Sequence, residues 1–102
     1  MTIIHGTIQS TDGRTFQASF VAKDINWSLA GSFDSLVQPF QSRNTTLEYE
    51  KLTPGHLSFT GVVGITHVLF IFSDGMKLEG PLDSAISQDS AVSGSADAML
   101  LT

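Results

Sequence analysis

The sequence predicts an all-β protein, either a small antiparallel β-sandwich or a β-barrel of about seven to eight short strands joined by hairpins. Apolar and polar residues alternate with a period of two in several segments, most clearly over residues 16–23. Dipeptides that favour tight turns separate these segments. No segment has the 3.6-residue period of a long amphipathic helix. Short strands with turn signals between them are typical of a small antiparallel β-domain.

The N-terminal part of the chain contains three predicted strands. In the clearest of them, Phe16, Ala18 and Phe20 alternate with residues suited to a solvent-facing side. Asp12-Gly13 comes just before this strand, and Asp-Gly suits the positive φ that a tight hairpin turn requires. We predict strands over residues 2–10, 14–23 and 26–33.

The C-terminal part contains four further predicted strands and a last one near the C-terminus. Leu57, Phe59 and Val63 repeat the period of two. Pro54-Gly55 and Asp74-Gly75 supply turns before two of these strands. We predict strands over residues 45–52, 57–63, 65–73, 76–82 and about 96–102.

Two segments lack a strand pattern. Residues 34–44 have no clear period, and residues 35–38 fit a single helical turn that Pro39 ends. Residues 84–97 contain five serines and no aromatic residue, so we interpret them as a Ser-rich loop or connector.

Two pairs of segments resemble each other. Residues 11–16 resemble residues 73–78, and residues 29–35 resemble residues 78–84. The two offsets differ, so this is not a regular repeat. The similarity indicates either recurring strand-and-turn chemistry or a pseudo-symmetric fold built from related hairpins.

The composition fits one folded domain over residues 1–102. The chain has 102 residues, of which 41% are hydrophobic and 15% are charged. Its mean hydropathy of +0.15 is too high for a disordered chain. A chain of this size is typical of a single domain with its own core.

The charge balance excludes several partners. Ten acidic residues against five basic ones give a formal net charge of −5. Nucleic-acid binding requires clustered cations that offset phosphate charge, and an anionic membrane surface requires the same. We therefore expect no nucleic-acid partner. No two of the five cations are adjacent; they are Arg14, Lys23, Arg43, Lys51 and Lys77.

The sequence also indicates in which cellular compartment the protein is expected. It contains no cysteine, which excludes disulfides, thiol catalysis and cysteine-ligated zinc. Its longest apolar run, residues 68–72, is far shorter than the ~20 residues of a transmembrane helix, so we expect no transmembrane segment. Residues 1–10 lack the features of a signal peptide. We expect a protein that is cytoplasmic or exported without a classical signal peptide.

A small-ligand site is predicted around the single tryptophan. Trp27 lies close to Asp24 and Asn26, and an indole beside such hydrogen-bonding side chains is suited to a sugar or another small polar ring. The alternative interpretation makes Trp27 a core residue of its strand.

Metal binding and catalysis have weaker signals. His5, His56 and His67 have no local ligand spacing, so we interpret them as isolated histidines and expect no metal and no cofactor. Glu48 and Glu50 share one strand face, where two carboxylates either serve glycoside chemistry or form a charged outer edge. No nucleophile motif or phosphate-binding loop occurs, so we expect no enzyme activity and assign no catalytic residue.

Residues 65–72 are apolar at both strand parities, which predicts a strand covered on both sides. A 102-residue β-domain has little second layer, so a partner subunit is the expected cover. Val68, Phe70 and Phe72 share one face and are the predicted interface if Leu69 and Ile71 point inward. The reverse facing is the alternative.

We therefore expect a non-catalytic binding module for a small ligand or carbohydrate, lectin-like in character and acting as a homo-oligomer. The alternative is a structural or interaction protein that self-assembles, or docks a partner protein, through the apolar strand 65–72. A weaker alternative is a barrel that carries a small apolar ligand.

Overall fold

Eight antiparallel strands close into a barrel in the computed structural model, which describes residues 2–22 and 25–100. The prediction of a small all-β barrel or sandwich is therefore confirmed, and the barrel is the correct alternative. The described residues contain no helix. The strands are β1 (Thr2–Ser10), β2 (Thr15–Ala22), β3 (Ile25–Phe33), β4 (Phe40–Tyr49), β5 (Gly55–Val63), β6 (His67–Phe72), β7 (Lys77–Pro81) and β8 (Ser90–Leu100).

The barrel consists of two Greek keys. Around the barrel the order is β1-β2-β3-β8-β5-β6-β7-β4, and β4 closes it by pairing with β1. Strands β1 to β3 form a meander, and β4 returns beside β1; strands β5 to β7 form a second meander, and β8 returns beside β5. A fourth strand that returns beside the first defines a Greek key. The crossovers after β3 and after β7 therefore occupy equivalent places.

The pseudo-symmetric interpretation applies to one of the two sequence similarities. Residues 29–35 and 78–84 lie in and just after β3 and β7, the third strand of each key. Each following crossover rests on the first hairpin of its own key, because Val37 N donates to Gly13 O at 2.9 Å and Ile86 N donates to Ile65 O at 3.0 Å. The other pair, residues 11–16 and 73–78, lies at non-equivalent hairpins, so it reflects shared Asp-Gly turn chemistry.

Aromatic rings fill the middle of the barrel. The ring centroids of Phe16, Phe59 and Phe70 lie 4.9–5.4 Å apart. Glycines let the neighbouring strands approach these rings: a Cβ on Gly94 would lie 1.9 Å from Ser32 O and 3.0 Å from the Phe59 ring. The chain's own side chains thus occupy the space that an apolar ligand would need.

Strand β4 begins earlier than predicted, at Phe40, and residues 35–38 form no helical turn. Its inward positions include Ser42 and Thr45, which are buried although polar. The register with β1 shifts between Gly6↔Thr45 and Ile8↔Ser42, so β4 contains a β-bulge. Because β4 has polar residues at inward positions and contains a bulge, its sequence does not alternate regularly between apolar and polar residues.

Strand β8 begins at Ser90, so the interpretation of residues 84–97 as a loop is wrong for residues 90–97. The connector covers only residues 82–89. The inward residues of β8 include Val92, Ala96 and Ala98, and Gly94 pairs with Phe59 of β5. Large rings from neighbouring strands fill this part of the core, so small residues suffice there and the strand signal is weak.

Candidate functional site

Trp27 does not have the exposure that the predicted ligand-stacking role requires. Trp27 is 1% exposed and points into the core, where its Nε1 finds no hydrogen-bond partner among the described residues. Asn26 is exposed, because consecutive residues of a strand point to opposite faces. Asp24 lies outside the described residues. The indole is therefore a core side chain and is closed to a stacking ligand, which corrects the ligand-binding assignment.

A different site lies at the barrel end where β4 stops. We call it the β4–β7 cleft; it has a volume of about 440 Å³. One wall comes from the end of β4 and the crossover to β5, and the other comes from the β6–β7 hairpin. The lining residues are Glu48, Tyr49, Glu50, Lys51, Thr53, Asp74, Gly75 and Met76.

A tight turn fixes the hairpin wall of the cleft. Gly75 has a φ of 95°, which only glycine adopts without strain. The Asp74 carboxylate accepts a hydrogen bond from Met76 N at 3.0 Å, and Phe72 N donates to Met76 O at 2.9 Å. The Met76 side chain is buried, so it joins this wall to the core. The hairpin therefore presents Asp74 from a well-anchored turn.

The cleft is mostly acidic. The acidic residues Glu50 and Asp74 line it together with one basic residue, Lys51, and Glu48 lines it at the end of β4. On the outer side of β4, Lys77 Nζ lies 3.6 Å from Glu48 Oε2 and 3.5 Å from Glu79 Oε1. Carboxylates accept hydrogen bonds from hydroxyl and ammonium groups, so the lining suits a ligand that carries such donors.

Tyr49 gives the cleft an aromatic component. It is half-buried and packs against the hydrophobic core, which holds the ring in place. The sequence pattern indicates that Glu48 and Glu50 share one face, but it carries no signal that Tyr49, Lys51 and Thr53 line a site. The Asp74-Gly75 dipeptide indicates a turn and no binding role. The pairing of β4 with β7 brings these parts together, and no local pattern signals that pairing.

The histidines lie apart from the cleft lining. His56 Nδ1 and Asp97 Oδ1 lie 2.9 Å apart across β5 and β8, and both side chains are 70% exposed. His67 Nδ1 lies 3.2 Å from Thr66 Oγ1, and His5 is on the outer face of β1. Within residues 2–22 and 25–100, no three His, Cys, Asp or Glu side chains are grouped as metal ligands.

The facing of the apolar strand is the reverse of the assumed one. Val68, Phe70 and Phe72 are buried in the barrel core, so they cannot form a subunit interface. Leu69 and Ile71 point outward and are exposed. The sequence could not distinguish the two cases, because both parities of this strand are apolar.

No protein-family model matches the sequence, and no curated protein or solved structure matches the chain. The part of the chain that the structure describes has no helix long and apolar enough to cross a membrane.

Proposed function

We propose that the chain is a non-catalytic binding module that holds a small polar ligand of the carbohydrate class in the β4–β7 cleft. The observation that carries this proposal is that the acidic residues Glu50 and Asp74 and the aromatic residue Tyr49 line a single cavity. The barrel interior is filled, so an opening at the barrel end is the natural place for a ligand. This proposal keeps the expected class of function and moves its site away from Trp27.

The size of the cleft supports the proposal. Ligand sites are typically concave and about 300–1,000 Å³ in volume, and the cleft of about 440 Å³ falls in that range. The hairpin wall is anchored by the Asp74 turn, and Glu48 and Tyr49 lie at the end of β4 in the closed sheet, so this part of the site is formed before a ligand arrives. A preformed site avoids much of the ordering cost of binding.

The lining chemistry supports a sugar. Carboxylates make strong charge-assisted hydrogen bonds to hydroxyl groups, and they add an ion pair when the ligand is an amino sugar. Tyr49 supplies an apolar ring face with a polar tip. Lys51 and Thr53 supply donors for the ligand's ring and hydroxyl oxygens.

Calorimetric titration with glucose, glucosamine and N-acetylglucosamine tests the proposal. We expect at least one of these sugars to bind with one site per chain. Glu50→Gln should weaken this binding by about tenfold, because a charge-assisted bond becomes a neutral one. Asp89→Asn is the matched control, since it removes one negative charge from an exposed residue of the 82–89 connector and should leave the affinity unchanged.

Two results would contradict the proposal. One is that none of the three sugars binds. The other is that both variants weaken binding equally, which would indicate general attraction to an acidic protein and no defined site.

A further inference from the structure

The chain contains two Asp-Gly dipeptides, and each lies in a tight turn between neighbouring strands. Asp12-Gly13 joins β1 to β2, and Asp74-Gly75 joins β6 to β7. The φ angles of the two glycines are 72° and 95°. An Asp-Gly dipeptide is prone to rearrange into isoaspartate, because glycine has no Cβ that would hinder attack by its nitrogen on the aspartate side chain. The two turns restrain this reaction to different degrees.

The Asp12 carboxylate is held at both of its oxygens. Oδ1 accepts hydrogen bonds from Arg14 N and Thr15 N, both at 2.9 Å, and Oδ2 accepts one from Thr15 Oγ1 at 3.2 Å. The Gly13 nitrogen donates to the buried Ser10 Oγ at 3.1 Å. Several hydrogen bonds must therefore break before the nitrogen can reach the carboxyl carbon.

The backbone of the Asp12 turn is also packed. A Cβ on Gly13 would lie 2.0 Å from Val37 O, and Val37 N donates to Gly13 O at 2.9 Å. The bonds between the aspartate and the glycine must rotate to bring the glycine nitrogen to the side-chain carboxyl carbon. The crossover that carries Val37 lies against this turn and opposes that rotation.

The Asp74 turn has fewer restraints. The Asp74 side chain is exposed, and its Oδ1 accepts one hydrogen bond, from Met76 N at 3.0 Å. The Gly75 nitrogen donates to Phe72 O at 2.9 Å. A Cβ on Gly75 would meet no atom of the described residues within 4 Å, so this turn can rotate without displacing a packed neighbour.

We propose that Asp74 is a site of spontaneous isomerisation to isoaspartate, and that the turn around Asp12 protects the other Asp-Gly dipeptide. The Gly75 nitrogen forms a bond to Asp74 Cγ, and the amide proton and the carboxyl hydroxyl leave as water. Water then adds to the main-chain carbonyl carbon of Asp74 and breaks its bond to Gly75 N. The two steps consume and release one water and need no oxidant or reductant.

The acidity of Asp12 adds to its protection. Hydrogen bonds from Thr15 N and Arg14 N hold the pKa of the Asp12 carboxyl below its usual value of 3.8. The neutral carboxyl is the reactive form, because its hydroxyl can leave as water. A lowered pKa leaves less of this form at mildly acidic pH, so it slows the reaction at Asp12.

The product would change one wall of the β4–β7 cleft. In isoaspartate the main chain runs through Cβ and Cγ, which adds one atom to the backbone between residues 74 and 75. The hydrogen bonds from Phe72 N to Met76 O and from Met76 N to Asp74 Oδ1 depend on the original spacing. The reaction itself does not depend on the proposed ligand site.

Peptide mapping of aged protein tests the proposal. Trypsin separates the two dipeptides, because it releases residues 1–14 and residues 52–77. Electron-transfer fragmentation distinguishes isoaspartate by cleavage of its Cα–Cβ bond. After incubation of the folded chain at mildly acidic pH, we expect isoaspartate to form about tenfold faster at Asp74 than at Asp12, because the Asp12 carboxylate has more hydrogen bonds to break.

Two comparisons show whether the turns cause the difference. Thr15→Val removes the hydroxyl contacts to Asp12 on an exposed side chain, so it should raise the rate at Asp12 by about threefold and leave the rate at Asp74 unchanged. In guanidinium chloride, which unfolds both turns, we expect the two rates to become similar.

Three results would overturn the proposal. One is that isoaspartate is absent from position 74 after prolonged incubation. Another is that Asp12 reacts as fast as Asp74 in the folded chain. The third is that the preference for Asp74 persists in the unfolded chain, which would assign it to the neighbouring sequence and not to the turns.

Discussion

Asp34 and Asp83 occupy equivalent positions in the two Greek keys, and each ties its crossover to the strand that completes the other key. Asp34 N donates to Ser93 O at 2.9 Å, and its carboxylate accepts from Ser93 Oγ at 3.0 Å. Asp83 N donates to Gln41 O at 2.8 Å, and its carboxylate accepts from Arg43 N at 2.9 Å. Each crossover is thus anchored to a strand by one backbone hydrogen bond and one carboxylate hydrogen bond of its aspartate.

We expect the hydrogen bond from Arg43 N to the Asp83 carboxylate to contribute more to stability than the ion pair between the two side chains. We expect Asp83→Ala to lower the free energy of unfolding by about 1–2 kcal/mol, because Arg43 N loses its acceptor. The Arg43 side chain is largely exposed and its Nε lies 3.4 Å from Asp83 Oδ2, so Arg43→Ala should cost no more than about 0.5 kcal/mol. Urea denaturation checks both values. Equal losses would show that the ion pair carries the effect.

The facing of β6 determines which substitutions unfold the protein. Phe70 is fully buried among aromatic rings, so Phe70→Ala should cost about 3–5 kcal/mol, and Phe70→Asp should abolish folding. Ile71→Ala on the outer face should change the unfolding free energy by less than about 1 kcal/mol. Thermal denaturation followed by circular dichroism measures both. A larger loss for Ile71→Ala would contradict the described facing.

Gly61 is required by the close approach of β5 and β6. A Cβ at this position would lie 2.0 Å from Leu69 O, so the two strands must separate to admit it. We expect Gly61→Ala to cost more than about 3 kcal/mol, above the usual range for overpacking. The control is Gly75→Ala, where a Cβ meets no atom within 4 Å and only the φ of 95° opposes it. That change should cost about 1 kcal/mol. Similar losses for both would contradict this account.

The Asp12 turn makes stability depend on acid pH. Hydrogen bonds donated by Thr15 N and Arg14 N to its carboxylate hold the pKa of Asp12 below its usual value of 3.8. A folded-state pKa below the unfolded one gives stability that is present above pH 3.8 and is lost as the pH falls through the folded pKa.

Asp12→Asn isolates this charge, because the amide oxygen can still accept a hydrogen bond. We expect the variant to be less stable than the wild type at pH 7, with the difference shrinking as the pH falls below 4. Urea titrations at both ends of this range measure the difference. A constant difference would show that the carboxylate charge is not the cause.

The sequence predicts most of the strands and two of the hairpin turns. The alternation around Phe16, Ala18 and Phe20 predicts β2, and the Asp74-Gly75 dipeptide predicts the β6–β7 turn. Both signals are local. Local patterns do not predict a strand where its inward residues are small or polar. Ala96 of β8 and Ser42 beside the β4 bulge are buried residues of this kind.

The candidate site is harder to predict than the fold. Its two walls, residues 48–53 and 74–76, meet because β4 pairs with β7 across the closure of the barrel. Strand order is set by long-range packing, which the period of a segment does not reveal. Trp27 illustrates the same limit of local pattern, because its sequence neighbour Asn26 points to the opposite face of the strand.

The most direct test of the account is amide chemical-shift mapping of the whole chain during titration with glucosamine. The β4–β7 cleft predicts saturable shifts centred on residues 48–53 and 74–76, with little change on the outer face of β2 around Gln17. Shifts centred on Asn26 and its neighbours, or no saturable shift at any amide, would contradict it.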